Sequence, residues 1–212
     1  MRRLPVYLVL DVSGSMHGEA IESVKLGLQT LLASLRQNPY ALETAYLSVI
    51  TFGSTAQQVV PLTELMSFQT PVINASGTTA MGEALQVLAN CIQSEVRKST
   101  AEVKGDWKPL VFIMTDGEPT DTLTNGLNAF KQCKCGVVVA CGAGPSANTA
   151  NLQQITETVV HLDTADSGSI GAFFKWVSAS IGVSSQKVEN GGGEVGGLDE
   201  LPPPPPEINI VT

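Results

Sequence analysis

Five short, β-branched apolar runs punctuate the chain: LPVYLVL (4–10), AYLSVITF (45–52), PLVFIMT (109–115), CGVVVAC (135–141) and TVVHL (158–162). Near-continuous apolarity over so few residues predicts strands buried on both faces of a parallel sheet. QQVVPL (57–62) predicts an edge strand, because Pro61 has no N–H to give a ladder. Between these runs the apolar positions fall at helical spacing. Ile21, Val24, Leu28, Leu31 and Leu35 mark one stripe, and Met81, Leu85, Leu88, Ile92 and Val96 a second. Leu123, Leu127 and Phe130 form a shorter stripe, and Ile170, Phe173, Phe174, Val177 and Ile181 close the series.

Strands alternating with helices predict an α/β fold: a doubly wound, mostly parallel central sheet of about six strands with helices on both faces. In such a sheet the ligand crevice lies beyond the carboxyl ends of the strands, where strand order reverses. From Val183 the periodicity stops, and the sequence turns Gly-rich and then runs through Pro202 to Pro206. The expected organisation is one domain over 1–182 and a flexible Gly/Pro-rich acidic tail over 183–212.

Charged residues make up 15% of the chain and hydrophobic ones 43%, a composition that buries a core rather than staying disordered. The formal charge of −8 argues against nucleic acid, whose phosphates demand clustered Lys and Arg. The tail carries Glu189, Glu194, Asp199, Glu200 and Glu207 against Lys187, so the rest of the chain is only mildly acidic. No stretch approaches the ~18 apolar residues that cross a bilayer, and Asp11 cuts the opening apolar run too early for a secretory leader. A cytoplasmic protein with no membrane partner is expected. Cys91, Cys133, Cys135 and Cys141 are too few and too unevenly spaced for a disulfide scaffold, and read as buried reduced thiols more readily than as a zinc site.

Three polar segments stand where the crevice should be. The first strand runs into Asp11-Val12-Ser13-Gly14-Ser15, whose polar side chains alternate and converge if the chain curls after the strand. SGTTAMGEAL (76–85) opens the second long helix, and Asp116 directly follows the strand ending at Thr115. Singly, these are helix caps and turn chemistry. Together they offer two carboxylates and several hydroxyls to one point, which is the donor set of a hard cation.

In these segments the sequence resembles a von Willebrand factor type A domain, over about residues 4–182. That family's metal-ion-dependent adhesion site combines Asp-x-Ser-x-Ser with a Thr and an Asp. The resemblance implies metal ligands at Asp11, Ser13, Ser15, Thr79 and Asp116. The middle element departs from the usual Gly-Gly-Thr and reads Gly77-Thr78-Thr79. Counting back from Ala84-Leu85 selects Thr79, with Thr78 as the alternative and as occupant of the second glycine position. The short format also resembles the TerY-type proteins of bacterial tellurite-resistance and stress clusters. That likeness implies partners in a phosphorylation-linked stress module, such as a kinase and a phosphatase of the same cluster.

An all-oxygen donor set suits Mg²⁺ or Mn²⁺, or Ca²⁺, better than zinc. An ion with few anionic ligands keeps positive charge and takes a further oxygen from a Glu or Asp of a partner protein. The expected function is therefore non-enzymatic, metal-dependent protein docking. Two other readings remain: a metal-assisted phosphoester hydrolase, and a structural module whose cation site is closed by its own chain. Against catalysis, position 13 is Ser where a phosphoryl-transferring Asp-x-Asp needs a carboxylate, and neither a nucleophile elbow nor a phosphate-binding loop is present. His17 is expected to face solvent; Glu118 and Asp121 sit at the rim, either as solvated turn residues or orienting a partner.

Overall fold

The computed structural model describes residues 2–191 and 193–211. The strands are β1 (Leu4–Asp11), β2 (Ala45–Phe52), β3 (Ala56–Glu64), β4 (Leu110–Thr115), β5 (Val137–Ala143), β6 (Val159–Leu162) and β7 (Asn209–Val211). They form one seven-stranded sheet in the order β3-β2-β1-β4-β5-β6-β7. The inner pairs are parallel; β3 on β2 and β7 on β6, the two outermost pairs, are antiparallel. The helices are α1 (Glu19–Arg36), α2 (Pro39–Thr44), α3 (Met81–Glu95), α4 (Leu123–Phe130), α5 (Thr149–Gln153) and α6 (Ser167–Glu189).

The period-two alternation of each strand divides the core into two layers. Leu4, Val6, Leu8 and Leu10 of β1, with Leu110, Phe112 and Met114 of β4, pack against α1 and α6. Tyr7 and Val9, with Val111 and Ile113, face α3, α4 and α5 on the other side. Every residue of β1 and β4 is buried, which explains why their sequences are apolar up to the terminal Asp11 and Thr115. The chain moves outward through β1, β2 and β3, then returns to place β4 on the free side of β1. The point of reversal lies between β1 and β4, so the crevice beyond their carboxyl ends is bounded by Asp11 and Thr115.

Small residues set two helix contacts. A Cβ on Gly126 of α4 would lie 2.1 Å from the carbonyl oxygen of Gly82 in α3, and one on Gly27 of α1 would lie 2.3 Å from the Phe174 ring of α6. Both crossings are closer than any larger residue allows.

Two expectations differ from the structure. The last helix does not end at 182 but continues to Glu189, with Ser184, Ser185 and Val188 buried. Nor is the segment beyond it a free tail. Val195, Leu201 and Ile208 are buried, the Trp176 indole Nε1 donates to the carbonyl of Pro202 at 2.8 Å, and Asn209–Val211 adds the seventh strand. The physical reason is the apolar side chains between the glycines and prolines, which gain more by covering α6 and the sheet edge than a solvated linker would. Two short helices were also not anticipated. In each, an Asn caps the first turn: Asn38 Oδ1 accepts from the Ala41 amide before Pro39-initiated α2, and Asn148 Oδ1 from the Ala150 and Asn151 amides before α5.

Candidate metal centre

β1 delivers Asp11 to the floor of the crevice, fully buried. The Ser13 amide donates to Asp11 Oδ1 at 2.7 Å, which turns the chain at the strand end, and a single 3₁₀ turn over Gly14–Met16 swings Ser15 back over Ser13. The two hydroxyls lie 2.9 Å apart. Ser15 Oγ donates to Asp116 Oδ1 at 2.7 Å, and the Thr115 hydroxyl to Asp11 Oδ2 at 2.5 Å. Alternate residues thus converge, as the alternation of polar positions requires.

The third segment is tied in through the backbone. Gly14 N donates to the Gly77 carbonyl at 2.9 Å, Ser76 N to the Val12 carbonyl at 2.8 Å, and Ala80 N to the Gly53 carbonyl at 2.8 Å. Gly77 takes φ +80°, the conformation glycine alone adopts without strain, while Thr78 does not need it. Thr78 therefore replaces the second glycine of the usual motif at no left-handed cost. Its side chain lies at an exposed position, whereas Thr79 is 6% exposed. A Cβ added to Gly117 would sit 3.8 Å from Ser15 Oγ and 3.9 Å from Thr79 Oγ1, so the hydroxyls of these two threads meet at one small space that glycine leaves open.

The loop after β4 is bolted to the start of α3. Thr79 N donates to Thr120 Oγ1 at 3.0 Å, Thr120 N to the Thr79 carbonyl at 2.9 Å, and the Asp121 carboxylate accepts from Gly82 N at 2.9 Å and Glu83 N at 2.8 Å. Asp121 is thus the N-terminal cap of α3, a role its rim position did not suggest. Glu118 turns away and accepts from Asn148 Nδ2 at 3.0 Å, and His17 is exposed just before α1. Thr115, Thr120 and Asp121 are the residues whose roles sequence reasoning missed. Each acts on a partner more than 35 residues away, and no local pattern reports such a contact.

The electrostatics are unbalanced. Burial pushes the Asp11 carboxyl above its ordinary range, against the hydrogen bonds from Ser13 and Thr115, and the charge of Asp116 adds to the rise. Burial also raises Asp116, opposed by the Ser15 hydroxyl. Neither carboxylate has a basic partner among the described residues. Two carboxylates buried beside hydroxyls and one backbone amide lack a counter-charge among the described residues.

A hard divalent cation fits this donor set. In an octahedral shell with oxygens 2.0–2.1 Å from Mg²⁺, neighbouring oxygens stand about 3 Å apart, close to the 2.9 Å between Ser13 and Ser15 and the 2.7 Å between Ser15 and Asp116. Among the described residues no three His, Cys, Asp or Glu side chains gather, so an ion here would depend on hydroxyl oxygens as much as on carboxylates. Asp11 is sealed from solvent while Ser15 is exposed, which leaves the cluster open on one side.

Comparison with known proteins bears on the fold. A von Willebrand factor type A protein from Catenulispora acidiphila superposes with a TM-score of 0.67 at 17% identity, covering 86% of this chain and 43% of that one. Proximal thread matrix protein 1 of the mussel byssus, in a structure described as having a zinc-occupied MIDAS motif, superposes with a TM-score of 0.62 at 19% identity, covering 84% and 48%. These likenesses establish the fold. Human inter-alpha-trypsin inhibitor heavy chain H6 is 25% identical over 122 residues, which is 56% of this chain and 9% of that protein. The chain therefore spans less than half the length of the two solved structures and under a tenth of the curated relative. The von Willebrand factor type A domain description itself matches residues 6–174, from the first strand into the last helix. With that match over most of its length, and with its three loops meeting at the switch point of the sheet, the chain belongs to the von Willebrand factor type A family.

Proposed function

We propose that this domain holds a divalent cation with Asp11, Ser13, Ser15, Thr79 and Asp116 and uses it to dock an acidic side chain of a partner protein. The observation that carries the proposal is the pair of buried carboxylates without a cationic partner among the described residues, set beside buried hydroxyls and opening to solvent at Ser15. The ion would supply positive charge and an open coordination position for a Glu or Asp of the partner. The chain's own groups do the rest. Thr115 and the Ser13 amide fix both oxygens of Asp11, while Ser15 orients Asp116, so the donors are held before anything binds.

Mg²⁺ is the preferred ion, with Mn²⁺ next and Ca²⁺ third, since the donors are hydroxyls and carboxylates. The zinc in the byssus protein belongs to that protein; here zinc serves as a competing ion in the titration. Docking without catalysis is the reading of choice, because domains of this family generally act as interaction modules. The likeness to TerY-type proteins supports a place in a bacterial tellurite-resistance or stress system, in the cytoplasm, with a kinase or phosphatase of the same cluster as partner. Among the described residues no helix is long and apolar enough to cross a membrane.

The test is calorimetric titration with MgCl₂ and MnCl₂ on the native chain and on Asp11→Ala, followed by partner capture with and without EDTA. One-site binding that the substitution abolishes with far-UV circular dichroism unchanged, and capture lost in EDTA, are the expected results. Capture indifferent to both EDTA and Asp11→Ala refutes the proposal.

A further inference from the structure

The docking reading leaves the polyproline run unused. Consecutive prolines hold φ near −65° and drive each preceding residue to extended backbone, so Pro202–Pro205 runs as a polyproline II strand. It lies along α6 in a groove floored by small residues, Gly168, Gly171, Ala172 and Ala179, with Trp176 at its wall. About 520 Å³ of the groove stays open beside the prolines. A polyproline II strand makes no internal hydrogen bonds, so its carbonyls are free to accept. The one at Pro202 accepts from Trp176 Nε1. Leu201 and Ile208, both buried, bracket the run.

An indole N–H on a main-chain carbonyl, beside a shallow floor that takes pyrrolidine rings, reads the shape of a proline run and not the identity of its neighbours. The occupant is joined to α6 through Gly191, Gly193 and Gly197, all at positive φ, and is held by the Trp176 bond, by buried Leu201 and Ile208, by the Lys187–Glu200 ion pair at 2.7 Å and by three ladder pairs of β7. A partner segment of the same chemistry regains the Trp176 bond and the groove contacts as it displaces the run, so the exchange is between like occupants.

We infer that the α6 face around Trp176 is a receptor for proline-rich segments, that residues 202–206 are its tethered occupant, and that a proline-rich segment of a partner protein binds there by displacing them. The surface lies outside the metal cluster and does not depend on an ion.

The probe is a fluorescein-labelled peptide of the chain's own sequence, Leu201 to Glu207, followed by anisotropy. The 212-residue chain carrying Pro202→Gly and Pro205→Gly has the polyproline geometry of its own occupant loosened and should bind the peptide at least ~10-fold more tightly than the native chain, where the tethered run competes at millimolar effective concentration. Adding Trp176→Phe to the opened chain keeps a ring but removes the N–H, and should weaken binding about fivefold or more. Ala179→Glu, at an exposed groove position where folding is not at stake, should weaken it likewise. No binding by the opened chain overturns the inference. So does binding that is equal in native and opened chains and indifferent to both groove substitutions.

Discussion

Ser15 and Asp116 stand 101 residues apart in sequence, yet the hydroxyl of one donates to the carboxylate of the other at 2.7 Å. That bond closes the ring of donors across the β1–β4 switch point. It also orders the consequences below, because each residue in the ring is held by a different neighbour.

Thr115 touches no outside ligand, but it fixes Asp11 Oδ2 from a fully buried position. Thr115→Val removes the hydroxyl and keeps the shape. Outer partners of this kind typically cost 10–100-fold in metal affinity, so Mn²⁺ affinity should fall by roughly that factor while the far-UV spectrum stays the same. Calorimetric titration is the measurement, and an unchanged affinity would show that Asp11 needs no such support.

Thr78 and Thr79 give opposite expectations for the same chemical change. Thr79→Val should lower Mn²⁺ affinity by about tenfold or more, as loss of one oxygen donor does, whereas Thr78→Val should leave it within error because the Thr78 side chain sits at an exposed position. Equal losses in the two variants would reverse the assignment.

Asp121 tests the bolt between the β4 loop and α3. Asp121→Ala strands the Gly82 and Glu83 amides at a helix start and should cost about 1 kcal/mol, within the 0.5–2 kcal/mol range of lost caps. Asp121→Asn keeps an acceptor and should cost less. Urea unfolding gives both values.

The ion pair of Arg3 and Asp106 sets an acid limit. Burial alone would raise Asp106, but the Arg3 hydrogen bonds, the Arg97 amide and the Arg3 charge together outweigh it and hold the carboxyl below its ordinary 3.8. A carboxyl whose folded value is depressed contributes stability above its unfolded value and loses it as pH falls through the folded one. The stability difference between the native chain and Asp106→Asn should therefore be constant above about pH 5 and shrink below about pH 4. Chemical denaturation at several pH values measures it; a difference that grows toward acid contradicts the pairing.

Much of this fold is legible in its sequence because the strands beside the switch point are buried on both faces. LPVYLVL and PLVFIMT have no polar face to disguise them. The clustering of Asp11, Ser13, Ser15 and Asp116 is legible too, since they sit at strand ends where an alternating polar pattern has no place in the core. The far end of α6 is not legible. Its buried positions there include Ser178, Ser180, Ser184 and Ser185, so hydroxyls stand at several places where apolar side chains would mark the period, and three of the four have no hydrogen-bond partner among the described residues. The docking of the proline run is equally hidden. It depends on Trp176, 26 residues away, and nothing in the local sequence marks that its N–H reaches the proline run.

The sheet's outer strands carry a consequence for the molecule in a crowded solution. On one margin Pro61 interrupts the amides of β3, and the pairing with β2 slips register twice; on the other β7 is only three residues long. The β3 border cannot extend a regular ladder to a neighbour. A sheet whose interior is mostly apolar is thereby guarded on that side against stacking side by side when the molecules are packed at high concentration.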